Sequence, residues 1–282
     1  MKKPDDLFKL IKSLEKAEKG YFKKFAQTHN KGAEHQYLKL FDAIDQQLEY
    51  NEPDLLKKFK SESFVKQLSV TKSYLWDLIL KSQRAYRAQS SKFMRLNALM
   101  ENGEILFEKG LYEQALVAWD KAKKLAEAFD EKAFILDLEA WKRRYFVDLK
   151  AELWDTNVLP SFETTDKLLE QYRTTFEIQK IYYQITKYIK TYPDFRNPEH
   201  KQKYEALLQH PLIQAKNEPA DFYGKLYFNY VHSNYHNLAN NEKENLKYIN
   251  KVIQLWHENP LLINVEPIRY IAAINNYLGT LS

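Results

Sequence analysis

Two histidines offer the chain's most concentrated set of ligating side chains. His232-Ser233-Asn234-Tyr235-His236 places two imidazoles at i and i+4, the spacing at which one helix face presents both to a single cation. His257, on the helix that follows, is the one further donor the pattern suggests, and two polar residues on a helix face more often mean a solvated surface. No resident metal is therefore expected. Cysteine is absent, which removes disulfides, thiolate metal sites and thiol nucleophiles. The sequence contains no Gly-rich phosphate loop, nucleophile elbow, zincin helix or EF-hand loop, and its carboxylates mostly sit four residues from lysines as solvated pairs. Catalysis has no anchor here, and no cofactor is implied.

A second chemistry lies in residues 61–88. Phe64-Val65-Lys66-Gln67-Leu68-Ser69-Val70-Thr71-Lys72-Ser73 has the outline of a helix-turn-helix, with Ser69-Val70 as the turn and Thr71 opening the second helix. In a DNA-binding version the start of that second helix meets base edges, making Thr71, Lys72, Ser73 and Trp76 the readers. Charge leans the same way. Residues 1–92 hold 19 Lys+Arg against 12 Asp+Glu, whereas the remainder holds 24 against 26. The simpler explanation is a Lys-rich solvated surface on a helical bundle, and nucleic acid is the lesser expectation.

Positioning such residues takes helices. Few turn formers (six Gly and nine Pro among 282 residues) and many helix formers predict an all-α chain. Residues 4–30 read as two short helices, the first buried through Leu7, Leu10, Ile11 and Leu14, with Ser13 capping the second. A helix over 34–50 follows, and Asn51-Glu52-Pro53-Asp54 starts another that runs to Phe59. No apolar run approaches membrane-spanning length and no signal peptide is evident, so a cytoplasmic protein without membrane contact is expected.

The most informative stretch is Leu96 to Phe129. Leu99, Gly103, Leu106 and Phe107, then Ala115, Trp119, Ala122 and Leu125, recur near the 3.6-residue period, and the pattern breaks at Lys109-Gly110. Small residues at Gly103, Ala115 and Ala122 permit close helix approach. With Gly103, Tyr112, Ala115, Trp119 and Ala122 in place, this window resembles a tetratricopeptide (TPR) repeat, although Asn102 and Glu127 stand where the usual Leu and Pro would be. The resemblance implies a TPR-like antiparallel helix-pair solenoid over residues 93–282, with residues 1–92 as a basic helical region packing on it. It also implies a concave face lined by first helices, to which Asn97, Met100, Glu104 and Phe107 would contribute, and an unidentified protein or peptide as partner.

Beyond this window the pattern loosens. Asp130 to Leu149 reads as one long helix, Trp154 to Pro160 as a loop, and Ser161 as the cap of a helix whose pattern continues and stops before Pro193. A helix pair over 222–238 and 242–256 keeps the repeat's spacing with Asn245 at its small-residue position. Asn275-Asn276-Tyr277-Leu278-Gly279 resembles the Leu-Gly step of one more first helix, so the solenoid ends in a cap or in a repeat cut short. Tyr182, Tyr183, Tyr188, Tyr192, Tyr223, Tyr227, Tyr230 and Tyr235 concentrate in this half, mostly as core filler with a minority lining a groove. Together these features predict a non-catalytic binding scaffold. The alternative is a transcriptional regulator that combines the 61–88 segment with a repeat sensor.

Overall fold

Helix-forming composition and αL-tolerant punctuation leave little room for anything but helices. The computed structural model describes residues 5–29, 34–88, 91–147, 154–192, 194–216 and 218–281, and among them every regular element is helical. The chain divides into two compact units, Met1–Arg95 and Leu96–Ser282.

In the first unit α1 (Asp6–Ser13), α2 (Lys16–His29), α3 (Glu34–Gln46), α4 (Glu52–Lys58) and α5 (Leu68–Tyr86) enclose Ile11, Phe22, Leu40, Phe41, Ile44, Leu55, Leu75 and Ile79. The rings of Phe22 and Phe41 meet at 4.6 Å. Asn51 caps α4 by accepting the Asp54 N–H. Ser13 does not cap α2 as expected; its hydroxyl donates back to the Leu10 carbonyl, and the Glu18 carboxylate accepts the Glu15 N–H instead. The expected turn at Ser69-Val70 is also absent. A 3₁₀ turn over Ser63–Gln67 leads directly into α5, so both residues lie in its first turn. Neither has the glycine or asparagine that a left-handed break would favour.

The second unit holds most of α6 (Lys92–Glu108), which begins before the boundary, then α7 (Tyr112–Ala128), α8 (Lys132–Phe146) and α9 (Leu159–Thr191). After these come α10 (Pro198–Leu208), α11 (Phe222–Leu238), α12 (Glu242–Glu258), α13 (Pro260–Val265) and α14 (Pro267–Leu281). One device ends α6, α7 and α11. Gly110, Asp130 and Asn240 adopt φ of 75°, 53° and 53°, and each is followed by a residue whose N–H reaches back five positions: Leu111 to Leu106, Glu131 to Ala126, Asn241 to His236. This is the Schellman arrangement, which satisfies the last carbonyls and reverses the chain at once. Asp130 is therefore a turn residue, not the first residue of a long helix. The helix that follows has 15 residues; the predicted extension to Leu149 runs past the described residues.

No such residue interrupts α9, which spans 33 residues. The predicted loop at Trp154–Pro160 is a π-helical turn, Trp154–Val158, merging into it. Ser161 lies inside the helix, its hydroxyl donating to the Val158 carbonyl, so it is no cap. The first half of α9 runs antiparallel to α8: Arg143 reaches Ser161 and Thr165, while Lys132 and Ile135 lie beside Leu168 and Gln171. Its second half runs parallel to α11, with Thr175 against Asp221 and Gln179 against Tyr227. α14 is parallel to α11 in turn, as Glu266 meets Tyr223 and Arg269 meets Tyr227.

Where α8 and α11 begin, both helix starts meet the middle of α9 in a polar junction. Asp221 caps α11 through the Gly224 N–H at 2.7 Å, accepts the Thr175 hydroxyl at 2.9 Å, and lies 3.2 Å from Lys132 Nζ. Lys132 also pairs with Asp130, whose second carboxylate oxygen accepts the Tyr223 N–H at 2.9 Å. Burial pushes the Asp130 carboxyl's pKa up, against the lowering by Lys132 and the Tyr223 N–H. Bonds from several partners offset the cost of taking these charges out of water.

Candidate functional site

The parallel run of α9, α11 and α14 brings tyrosines and one arginine onto a common face. Tyr182 contacts Tyr183, Tyr227 and Tyr230 with ring centroids 5.4, 5.2 and 5.7 Å apart. Tyr223 and Tyr227 stack at 6.4 Å. The Arg269 guanidinium lies 5.2 Å over Tyr223 and 5.9 Å over Tyr227. It donates to the Tyr227 hydroxyl at 2.9 Å and to Glu266 at 3.0 Å, and Glu266 accepts the Tyr223 hydroxyl at 2.6 Å. Gln179 donates to Tyr227 from the other side at 3.0 Å.

This network fixes the rings in place. Burial works against the Arg269 charge, but Tyr227 and Glu266 outweigh it and hold the guanidinium above its ordinary pKa. Burial likewise raises the pKa of Tyr182 and of Tyr230. The face thus holds the Arg269–Glu266 ion pair among the phenol rings. Tyr183 is 58 % exposed and the Arg269 side chain 41 %, whereas Tyr227 is buried. The surface therefore offers aromatic area, chiefly Tyr183, and a part-exposed guanidinium already paired with Glu266, at little conformational cost.

Along the same α11 and α14, an asparagine-lined cleft opens between them and α12. Asn234, Asn237, Asn245, Asn275 and Asn276 line it together with Tyr230 and Thr280. Asn245, at the repeat's small-residue position, is buried but partnered: its oxygen accepts the Ser233 hydroxyl at 2.7 Å and its amide faces Asn237.

The residues chosen from sequence lie elsewhere. On α6, Asn97 is exposed and Met100 half-buried, its carbonyl accepting the Trp119 indole N–H at 3.3 Å. Glu104 accepts the Tyr145 hydroxyl at 2.8 Å, and burial, reinforced by that bond, pushes the Tyr145 pKa up to about 12. Phe107 packs among Tyr112, Trp119, Tyr145 and Phe146. An open apolar cleft of about 680 Å³ does lie between α6 and α7, but Leu99, Asn102, Ile105 and Leu106 line it, on the opposite face of α6.

On α5, Thr71 is buried with its hydroxyl donating to the Gln67 carbonyl, and Lys72 reaches the Tyr50 hydroxyl and Glu52 at 2.7 Å each. Trp76 packs against the first unit's core, and Ser73 is exposed. The four do not share one open face. His232 and His236 both stack on the Tyr248 ring, at 4.5 and 5.7 Å, instead of converging on a cation. Burial drives His232 down to a pKa of about 4. His257 faces the Tyr270 hydroxyl at 3.0 Å, and among the described residues no three His, Cys, Asp or Glu side chains are grouped to hold a metal.

Arg269, Gln179 and Glu266 escaped the sequence reading. Arg269 and Glu266 pair locally three residues apart, but the tyrosines that these two and Gln179 reach lie 42 to 48 positions away, and only the parallel placement of three helices brings them together. The tyrosine clustering was the visible signal. No protein-family model, curated protein or solved structure matches the chain. Among the described residues, no helix is long and apolar enough to cross a membrane.

Proposed function

We propose that the chain is a non-catalytic scaffold that binds a protein or peptide on the face formed by α9, α11 and α14. The carrying observation is the array of exposed Tyr183 and half-buried Tyr182 and Tyr223 around the Arg269–Glu266 ion pair, held rigid over the buried Tyr227. Such surfaces recognise extended peptides, because rings bury area cheaply and a fixed guanidinium engages a carboxylate or backbone carbonyls. The asparagine cleft extends the same surface with side chains that both donate and accept hydrogen bonds, matching peptide backbone. In this reading the helix pairs form a TPR-like solenoid in which α9 serves as the second helix of one pair and the first of the next. The recurring Schellman turns and the parallel first helices support that arrangement.

The test selects a displayed random-peptide library on the full chain, then measures the enriched peptide against Tyr183→Ala and Arg269→Ala. Each loss of an anchor should weaken binding about tenfold. An unproductive selection, or a peptide whose affinity neither variant changes, overturns the proposal.

A further inference from the structure

The outer side of α9 carries apolar residues that stay about half exposed, although the Arg143 guanidinium lies 4.8 Å over Phe162 and the Tyr182 ring 5.4 Å from Tyr183. Phe162, Leu169, Phe176 and Tyr183 follow one another at intervals of seven and are 51, 49, 48 and 58 % exposed; Tyr172, beside them, is 43 % exposed. A seven-residue repeat drifts by only about 20° per heptad on a straight helix, so these side chains form a single seam roughly 32 Å long. Ile178, Ile181 and Ile185 are buried on the opposite side of the helix. A continuous apolar seam on a long helix is the pattern by which one helix packs along another.

The flanking charges identify the second helix. Beside the seam the first half of α9 carries Glu163, Asp166 and Glu170, against Lys167; the second half carries Arg173, Lys180, Lys187 and Lys190, against Glu177. An acidic start and a basic end also suit the helix's own dipole, but that effect fades within the first and last turns. Asp166, Glu170, Arg173 and Lys180 lie further in. An antiparallel copy of the same helix, related by a two-fold axis between Tyr172 and Arg173, sets Leu169 against Phe176, Phe162 against Tyr183 and Asp166 near Lys180. Apolar residues then meet apolar ones, and the acidic half of each helix faces the basic half of the other. A parallel copy would set like charges together.

We infer that the chain forms a two-fold symmetric homodimer through antiparallel pairing of α9. The self-complementarity of both the seam and its charges is what an isologous interface requires. Tyr183 belongs both to this seam and to the tyrosine–arginine face, so a peptide anchored on it competes with dimerisation.

Light scattering on the eluting full chain should give twice the chain mass, and Leu169→Glu with Phe176→Glu should halve it while the helical circular dichroism stays unchanged. Arg269→Ala should leave the mass alone. Should the double variant fold poorly, charge reversal supplies the test: Asp166→Lys weakens the dimer about tenfold, and adding Lys180→Asp restores it. Because the natural chain has no cysteine, a mixture of Leu169→Cys and Phe176→Cys chains should form the mixed disulfide in preference to either symmetric one. A monomer at every concentration, a dimer indifferent to both the glutamates and the reversal, or preferential symmetric cross-linking would each refute the pairing.

Discussion

Gly103 and Gly20 are both glycines within helices, α6 and α2, yet alanine should act on them with opposite sign. A Cβ built on Gly103 would stand 2.1 Å from Nε1, 2.4 Å from Cδ1 and 2.6 Å from Cε2 of Trp119. Such distances demand movement. The indole cannot swing aside, because it is fully buried and stacked against Phe107 and Tyr145 at 5.9 and 5.6 Å. Displacing it also breaks the N–H bond to the Met100 carbonyl. Overpacking of this kind costs about 1–3 kcal/mol, the lost hydrogen bond about 1 kcal/mol, and the better helix propensity of alanine returns about 1 kcal/mol. The net is a loss of about 2 kcal/mol, or a melting point lower by roughly 4–8 °C for a unit of this size. Nothing lies within 4 Å of a Cβ on Gly20, so Gly20→Ala keeps the propensity term and gains up to about 1 kcal/mol. Urea titrations followed by circular dichroism, with Trp fluorescence as a second probe, measure both. A Gly103→Ala protein as stable as the parent would refute the close packing of α6 on Trp119.

Three further perturbations address other parts of the second unit. Asn240→Gly should stabilise it by up to about 1 kcal/mol, since glycine takes the φ of 53° without strain, whereas Asn240→Val should destabilise it by a similar amount; denaturation midpoints separate the two. Asp221→Ala removes the cap of α11 and one partner of the buried Lys132, and thermal melts should show a loss of about 3 kcal/mol or more. His232 titrates near 4 in the folded chain against about 6.5 when unfolded, so between these values the unfolded state binds the extra proton. Its contribution is complete above pH 6.5 and is lost as the pH falls towards 4, up to about 3 kcal/mol. Comparing urea midpoints at pH 7 and pH 4.5 for the parent and His232→Gln isolates it, and equal losses in both would contradict the assignment.

Reading the sequence located most helices because their buried faces repeat locally. Leu7 and Ile11, Phe22 and Ala26, Ile249, Val252 and Trp256 all lie inward at helical spacing. Local pattern also exposed the Gly110 turn, since glycine there advertises its freedom. Asp130 makes the same turn without advertising it: aspartate is equally at home in the first turn of a helix, where the pattern placed it. The helix-turn-helix outline failed for the converse reason. Serine and valine can follow a helical path, and Thr71 is drawn inward because its neighbours Leu68 and Leu75 must be buried. The candidate site was the least legible part, since its geometry depends on which helices run parallel. The tyrosines were visible as a cluster, but nothing local distinguishes Tyr227, which is buried, from Tyr183, which is open.

The long α9 follows from the same rule of punctuation, and it explains why the site lies where it does. Between Ser161 and Thr191 the sequence contains no Gly, Asn, Asp-Gly or Pro at which a left-handed residue could end the helix and reverse the chain. Five threonines, Thr164, Thr165, Thr174, Thr186 and Thr191, instead return their hydroxyls to carbonyls four residues back, which the helix tolerates. With no reversal, α9 outruns α8, and α11 must begin where α8 begins. That meeting of two helix starts concentrates Asp130 and Asp221 at one level, and Lys132 with Thr175 is what makes it tolerable. Running onward from this junction, α11 can only lie parallel to the rest of α9. Parallel neighbours place Gln179, Tyr227 and Arg269 side by side, so the aromatic face is a consequence of the missing turn. Inserting one by Thr174→Gly with Thr175→Pro should dismantle the face and the polar junction together. Quenching of tyrosine fluorescence by acrylamide would rise in that variant well beyond its loss of helix, and a face that survived would show that α9 need not be continuous to build it.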